Sequence, residues 1–212
     1  MEQSMILRFF GGVSQDGFDC MVDFDKVLYE LTRWLLPIGI CLLAEGVWLE
    51  KWRKIEPFVC YRYATVKIWW RRKFLRGLFN GILAAMLLFL VAMAADIVNA
   101  GGFPDEVWKV FTLWFAHMIT ILSFFLVLDM IRTRELVPAI LLLLEGVTFL
   151  VGFFNIRIAR FMYGMWGMYF QSEWYFGETG VCVLYSLLTE MTLIAIGYLA
   201  GRILLGRKMR NR

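Results

Sequence analysis

With 212 residues, 60% of them hydrophobic and only 19% charged, the chain lacks the polar surface of a soluble domain. Its mean hydropathy of +0.65 is that of an integral membrane protein. The net charge of +4 does not indicate a nucleic-acid partner, because the cations stand beside apolar runs, and four cysteines without CxxC spacing or a Cys/His cluster argue against structural zinc.

Residues 1–32 are short of apolar length and acidic, with Glu2, Asp16, Asp19, Asp23, Asp25 and Glu30 against Arg8 and Lys26. Gly11-Gly12 and Gly17 end any helix begun by MILRFF. No apolar core of a signal peptide precedes the acids, so an outside, partly interfacial N-terminus is expected. The first span is expected at 33–49, with Pro37 as a kink and Trp48 at its inner edge. Residues 50–76 then hold nine of the 22 Lys/Arg, namely Lys51, Arg53, Lys54, Arg62, Lys67, Arg71, Arg72, Lys73 and Arg76. Cations beside spans stay on the cytoplasmic side, so this stretch orients the chain. Trp69 and Trp70 adjoin Arg71-Arg72-Lys73, a composition suited to a headgroup boundary, with rings in the interface and cations toward anionic lipid.

Further spans are expected at 77–98, 110–131, 136–154 and 181–204. NAGGFPDEVWK makes an outer turn, Arg132 and Arg134 mark an inner one, and the acid-free tail GRKMRNR stays inside. Residues 155–180 are aromatic and Met-rich but interrupted by charge and glycine. They read as an outer interfacial or re-entrant element, since irregular backbone at membrane depth survives only against protein. The expected fold is a single all-α integral membrane domain over residues 1–212, with about five transmembrane helices, the N-terminus outside and the C-terminus cytoplasmic. Cys20 and Cys182 both fall outside, where they could pair; two free thiols is the plainer reading.

Several ionisable groups fall in or near the spans: Glu45, Asp96, His117, Asp129, Glu145 and Glu190. Such groups mark a functional site or a buried pairing. Asp96 and Asp129 lie near span ends and should reach water, and Glu45 is close enough to the inner face to snorkel. Glu145 and Glu190 are deeper, either kept neutral or bonded to neighbours such as Thr148, Ser186 or Thr192. Together with His117 they form either a proton relay or inter-helix glue, the second being the plainer reading. Glu45-Gly46-Val47 echoes Glu145-Gly146-Val147, too short a match to establish a repeat. Enzyme signatures are missing: there is no HExxH, no GxSxG and no GxxxxGK[ST], so the chain itself is not expected to hydrolyse ATP.

Three motifs follow in order. They are Gly11-Gly12 before the first span, the run from Cys60-Tyr61-Arg62-Tyr63 to Trp69-Trp70, and Tyr163-Gly164-Met165-Trp166-Gly167-Met168-Tyr169 before the last span. Over roughly residues 10–205 the chain resembles the ABC-2-type permease subunits of Gram-positive bacteria found in bacteriocin or lantibiotic export and immunity. It departs from them at Ala64-Thr65-Val66-Lys67, where the family tends to Gly-Ser-Arg, and at Gly164-Met165-Trp166, where it tends to Gly-Asn-Trp. The family's usual first span is also missing. The resemblance implies a non-catalytic permease in the bacterial plasma membrane, without cofactor, paired with a second permease copy and a separate ATPase subunit. A hydrophobic peptide or lipid-like substrate is implied. Residues 50–76 would include the coupling helix, with Arg62, Tyr63, Lys67, Trp69 and Trp70 docking the ATPase. Met165, Trp166, Gly167 and Met168 would line an outer gate. The alternatives are a proton-coupled carrier or channel using Glu145, Glu190 and His117, and a membrane assembly factor.

Overall fold

The computed structural model describes residues 4–13, 24–60, 65–130, 136–154, 156–159 and 161–210. These residues are helical apart from turns and one isolated bridge between Ser172 and Val181. After the short α1, Met5–Phe10, come five long helices. These are α2 Phe24–Cys60, α3 Val66–Ala100, α4 Val107–Leu128, α5 Leu136–Phe154 and, last in the chain, α9 Val183–Arg210. Between α5 and α9 lie the single turns α6 Ile156–Ala159, α7 Tyr163–Trp166 and α8 Glu173–Phe176. The protein is therefore an all-α membrane protein of about five spanning helices.

At 1.5 Å per residue, the 19 residues of α5 measure about 28 Å, just the ~30 Å of a hydrocarbon core. The 37 residues of α2 and the 35 of α3 measure above ~50 Å and must project beyond it. This corrects two expected boundaries. The segment 33–49 is the middle of α2 and 77–98 is the C-terminal part of α3, and Pro37 lies inside α2 without interrupting it. The basic stretch is not a loop either: its first part completes α2, its last part opens α3, and residues 61–64 lie outside the described residues. Thr65 caps α3 by accepting the Ile68 N–H at 3.4 Å. At the other end Gly101, at φ 71°, takes the left-handed cap and returns its N–H to the Ile97 carbonyl.

Helix α4 is apolar on every face and is accordingly central, packed against α1, α2, α3, α5 and α9. The outer helices turn leucine and phenylalanine faces outward, as Phe79, Leu83 and Leu90 do on α3 and Leu184 and Leu188 on α9. Lipid is as apolar as leucine, so the helices gain by close contact where residues are small. Gly77 and Gly81 of α3 lie against Leu126 and Leu122 of α4, and Gly201 of α9 lies under Trp70.

Two polar anchors hold opposite ends of the bundle. At the end away from the cations, the Asp96 carboxylate accepts from the Ser4 hydroxyl and from the backbone N–H groups of Met5 and Ile6, the latter at 3.1 Å. It neutralises the free donors of α1 and draws that helix in. Phe10 then packs edge-on to Phe89 and Trp114, with centroids 5.1 and 4.6 Å away. At the cation-rich end Asp129, which closes α4, pairs with Arg53 of α2 and lies 3.8 Å from Lys73 Nζ of α3. Both aspartates are buried instead of reaching water, because each has a full set of donors.

Candidate functional site

His117 lies ten residues into α4, about 15 Å from its start, and Trp34 is equally deep in α2. Glu145 is at the midpoint of α5. His117 Nε2 is 3.0 Å from Glu145 Oε1, and Nδ1 is 2.9 Å from Glu190 Oε1 on α9. The Trp34 indole N–H donates to the same Glu145 Oε1 at 2.9 Å. Four helices thus meet on one imidazole. Relative exposures of 0% for His117, 1% for Glu145 and 2% for Glu190 leave only protein groups to satisfy the cluster. Glu145 and Glu190 do not use the expected hydroxyls. Thr148, Ser186 and Thr192 donate to carbonyls of their own helices, at Leu144, Cys182 and Leu188.

The segment from Tyr163 to Ser172 packs onto this cluster. A Cβ on Gly167 would stand 2.7 Å from His117 Cβ and Cγ, and one on Gly164 would stand 2.9 Å from the Glu145 carbonyl oxygen. The Gly164 N–H also donates to Thr148 Oγ1 at 3.0 Å. The Tyr163 ring lies 4.6 Å from the imidazole, centroid to centroid. The N-terminal segment closes over the far side: Phe170 N–H donates to the Gly11 carbonyl at 3.0 Å and Gln171 Nε2 to the Val13 carbonyl at 3.1 Å. Arg33 Nη2 reaches the Gly12 carbonyl at 3.0 Å. Met165, Trp166, Gly167 and Met168 are all buried by this packing. These residues, expected to line an outer gate, fill the space between the cluster and α1 as a plug, with Met165 against Gly152 and Met168 against Gly12.

The residues expected to dock a partner divide. Arg62 and Tyr63 lie outside the described residues, as does Cys20; Cys182 is an exposed free thiol. Lys67 is exposed at the start of α3, followed by exposed Arg71, Arg72 and Arg76. Trp69 and Trp70 are a correction: they are buried in the bundle, not laid in an interface. Trp70 donates its indole N–H to the Tyr198 carbonyl of α9 at 2.9 Å, and Lys73 Nζ sits 5.2 Å from the Trp69 ring centroid. The rings and Lys73 share the inward face of α3, and Lys67, Arg71, Arg72 and Arg76 the outward one. Glu45 corrects a second expectation. It does not snorkel but is buried beside Gly77, with neither oxygen hydrogen-bonded.

One contributor was missed from sequence, Trp34, and Gly167 was named for a gate without its contact with His117. The glycines at i and i+3 in YGMWGM were the available signal for close approach. A mid-span tryptophan carries no comparable signal, since tryptophan in membranes is mostly an interface residue. Among the described residues, no three His, Cys, Asp or Glu side chains are arranged to hold a metal ion. Fold and site together define a multi-pass α-helical membrane protein built around a buried imidazole–dicarboxylate cluster. No protein-family model, curated protein or solved structure matches the chain.

Proposed function

We propose that the chain is a non-catalytic permease subunit of an ABC-2-type transporter, gripped by a separate ATPase at the basic end of α2 and α3. The observation that carries this is the continuity of those two helices through membrane and basic stretch alike. Each continues about 10 Å, two turns, past the Arg53–Asp129–Lys73 layer. A force applied there moves the membrane halves directly, with no loop to absorb it. It also passes sideways, through Asp129 to α4 and through the Trp70–Tyr198 bond to α9. The exposed cations Lys67, Arg71 and Arg76 suit an acidic cleft on a soluble partner.

In this reading the basic end is cytoplasmic, the N-terminus lies outside and the C-terminus inside, by the positive-inside bias, in a bacterial plasma membrane. A second permease copy completes the path, and the wide apolar faces of α3 and α9 suit a hydrophobic peptide or lipid-like substrate. The plug at residues 163–172 is the part that must yield for passage. Reversing charge at Lys67 and Arg71 together is expected to abolish co-purification with an ATPase subunit encoded beside this chain while membrane insertion is unchanged. Undiminished co-purification would remove the docking assignment.

One observation favours a second reading, a proton-coupled carrier: His117 bridges two carboxylates at mid-depth. A carrier of that kind loses transport on Glu145→Gln or Glu190→Gln and is indifferent to ATP, whereas the permease needs ATP.

A further inference from the structure

The geometry of the His117 cluster sets how many protons it must hold. Each of the two N···O contacts, 2.9 and 3.0 Å, needs one proton between its atoms, since facing lone pairs repel. Two protons shared among one imidazole and two carboxylates leave the cluster at one net negative charge. Among the described residues, the groups facing it supply no compensating cation. From α2 comes the Trp34 indole, from α5 Glu145, from α9 Glu190, and from α7 the Tyr163 phenol. The nearby Arg33 is committed to Glu30 and the Gly12 carbonyl. An uncompensated charge buried at mid-membrane is among the most unfavourable arrangements a helix bundle can hold.

We infer that the cluster binds a third proton, seated on Glu145 Oε2, making it a neutral proton-binding site that carries a His117 imidazolium–Glu190 carboxylate pair beside a Glu145 carboxylic acid. The hydrogen bonds of Glu145 select the seat. Oε1 accepts from both Trp34 and His117, which uses the two lone pairs of a carbonyl oxygen, while Oε2 is buried with no partner. An ionised oxygen without a donor is the costlier occupant of that position; a hydroxyl is the cheaper one. The proton comes from water and returns to it, so no other reactant is needed. Gly164 and Gly167 of the plug rest on Glu145 and His117, so the site lies directly beneath it.

The test is infrared spectroscopy of the full chain in phosphatidylcholine vesicles at neutral pH. A Glu45→Gln background is used, because Glu45 is a second buried carboxyl. Glutamate labelled with heavy carbon at the carboxyl distinguishes these bands from aspartate. One protonated glutamic-acid carbonyl band is expected, and it should vanish when Glu145→Gln is added. No such band, or a band unchanged by Glu145→Gln, overturns the third proton. Thermal unfolding reports the seat independently. Glu145→Gln copies the neutral acid and should leave the midpoint near wild type. Glu190→Gln removes the carboxylate that balances the His117 imidazolium and should lower the midpoint by several degrees. The reverse order overturns the assignment to Glu145.

Discussion

Replacing His117 with alanine should be the most damaging single change in the molecule, lowering stability by about 3–5 kcal/mol. The side chain is fully buried and joins α4 to α5 and α9 through its two ring nitrogens. Removing it leaves two carboxyl groups at mid-membrane with no imidazole, and a cavity beneath Gly167. The loss should appear as a large fall in the unfolding midpoint of purified protein, or as aggregation on size-exclusion chromatography. The change His117→Leu combined with Glu145→Gln and Glu190→Leu should recover most of that loss, because no buried charge then lacks a partner. If His117→Ala alone matches wild type, the cluster is not what joins these helices.

The second large effect concerns the plug. Gly164→Val and Gly167→Val should each cost about 2–3 kcal/mol, near the upper end for overpacking. At Gly164 the clash is with the backbone oxygen of Glu145, which cannot move without displacing α5. At Gly167 it is with a ring already held from two sides. Gly39 is the control, since its nearest neighbour, a Leu142 methyl, is 4.0 Å away and Gly39→Ala should be harmless. A Met168→Cys reporter, buried in a chain whose four native cysteines are replaced by serine or alanine, should become reactive to a water-soluble maleimide only in the two valine variants.

Helix number and placement were legible because each span is a long, predominantly apolar run, and the bounds of α5 matched outright. The ends of α2 and α3 were not, for a physical reason. A change from apolar to cationic residues marks where hydrocarbon stops, not where a helix stops; no glycine interrupts residues 47–76, and α2 runs on through Pro57. Lysine and arginine are good helix formers, so the helices simply continue. The mistaken setting of Trp69 and Trp70 had a readable remedy. Trp69, Trp70, Lys73, Phe74, Gly77 and Gly81 fall on one helical face, and Ile68, Arg71, Arg72, Leu75 and Arg76 on the other. The intramembrane histidine and glutamates were legible as out of place in hydrocarbon. Their meeting was not, because a sequence gives depth along a helix and not the rotation that aims a side chain at its neighbour. For the same reason Asp96 looked like an ordinary end-of-span residue, although it caps a helix some ninety positions away.

The account of function stands on the projecting ends of α2 and α3, and site-specific photo-crosslinking from Lys67 in native membranes tests it most directly. The account predicts a covalent adduct with a soluble polypeptide that carries a phosphate-binding loop. Adducts with lipid alone would contradict it.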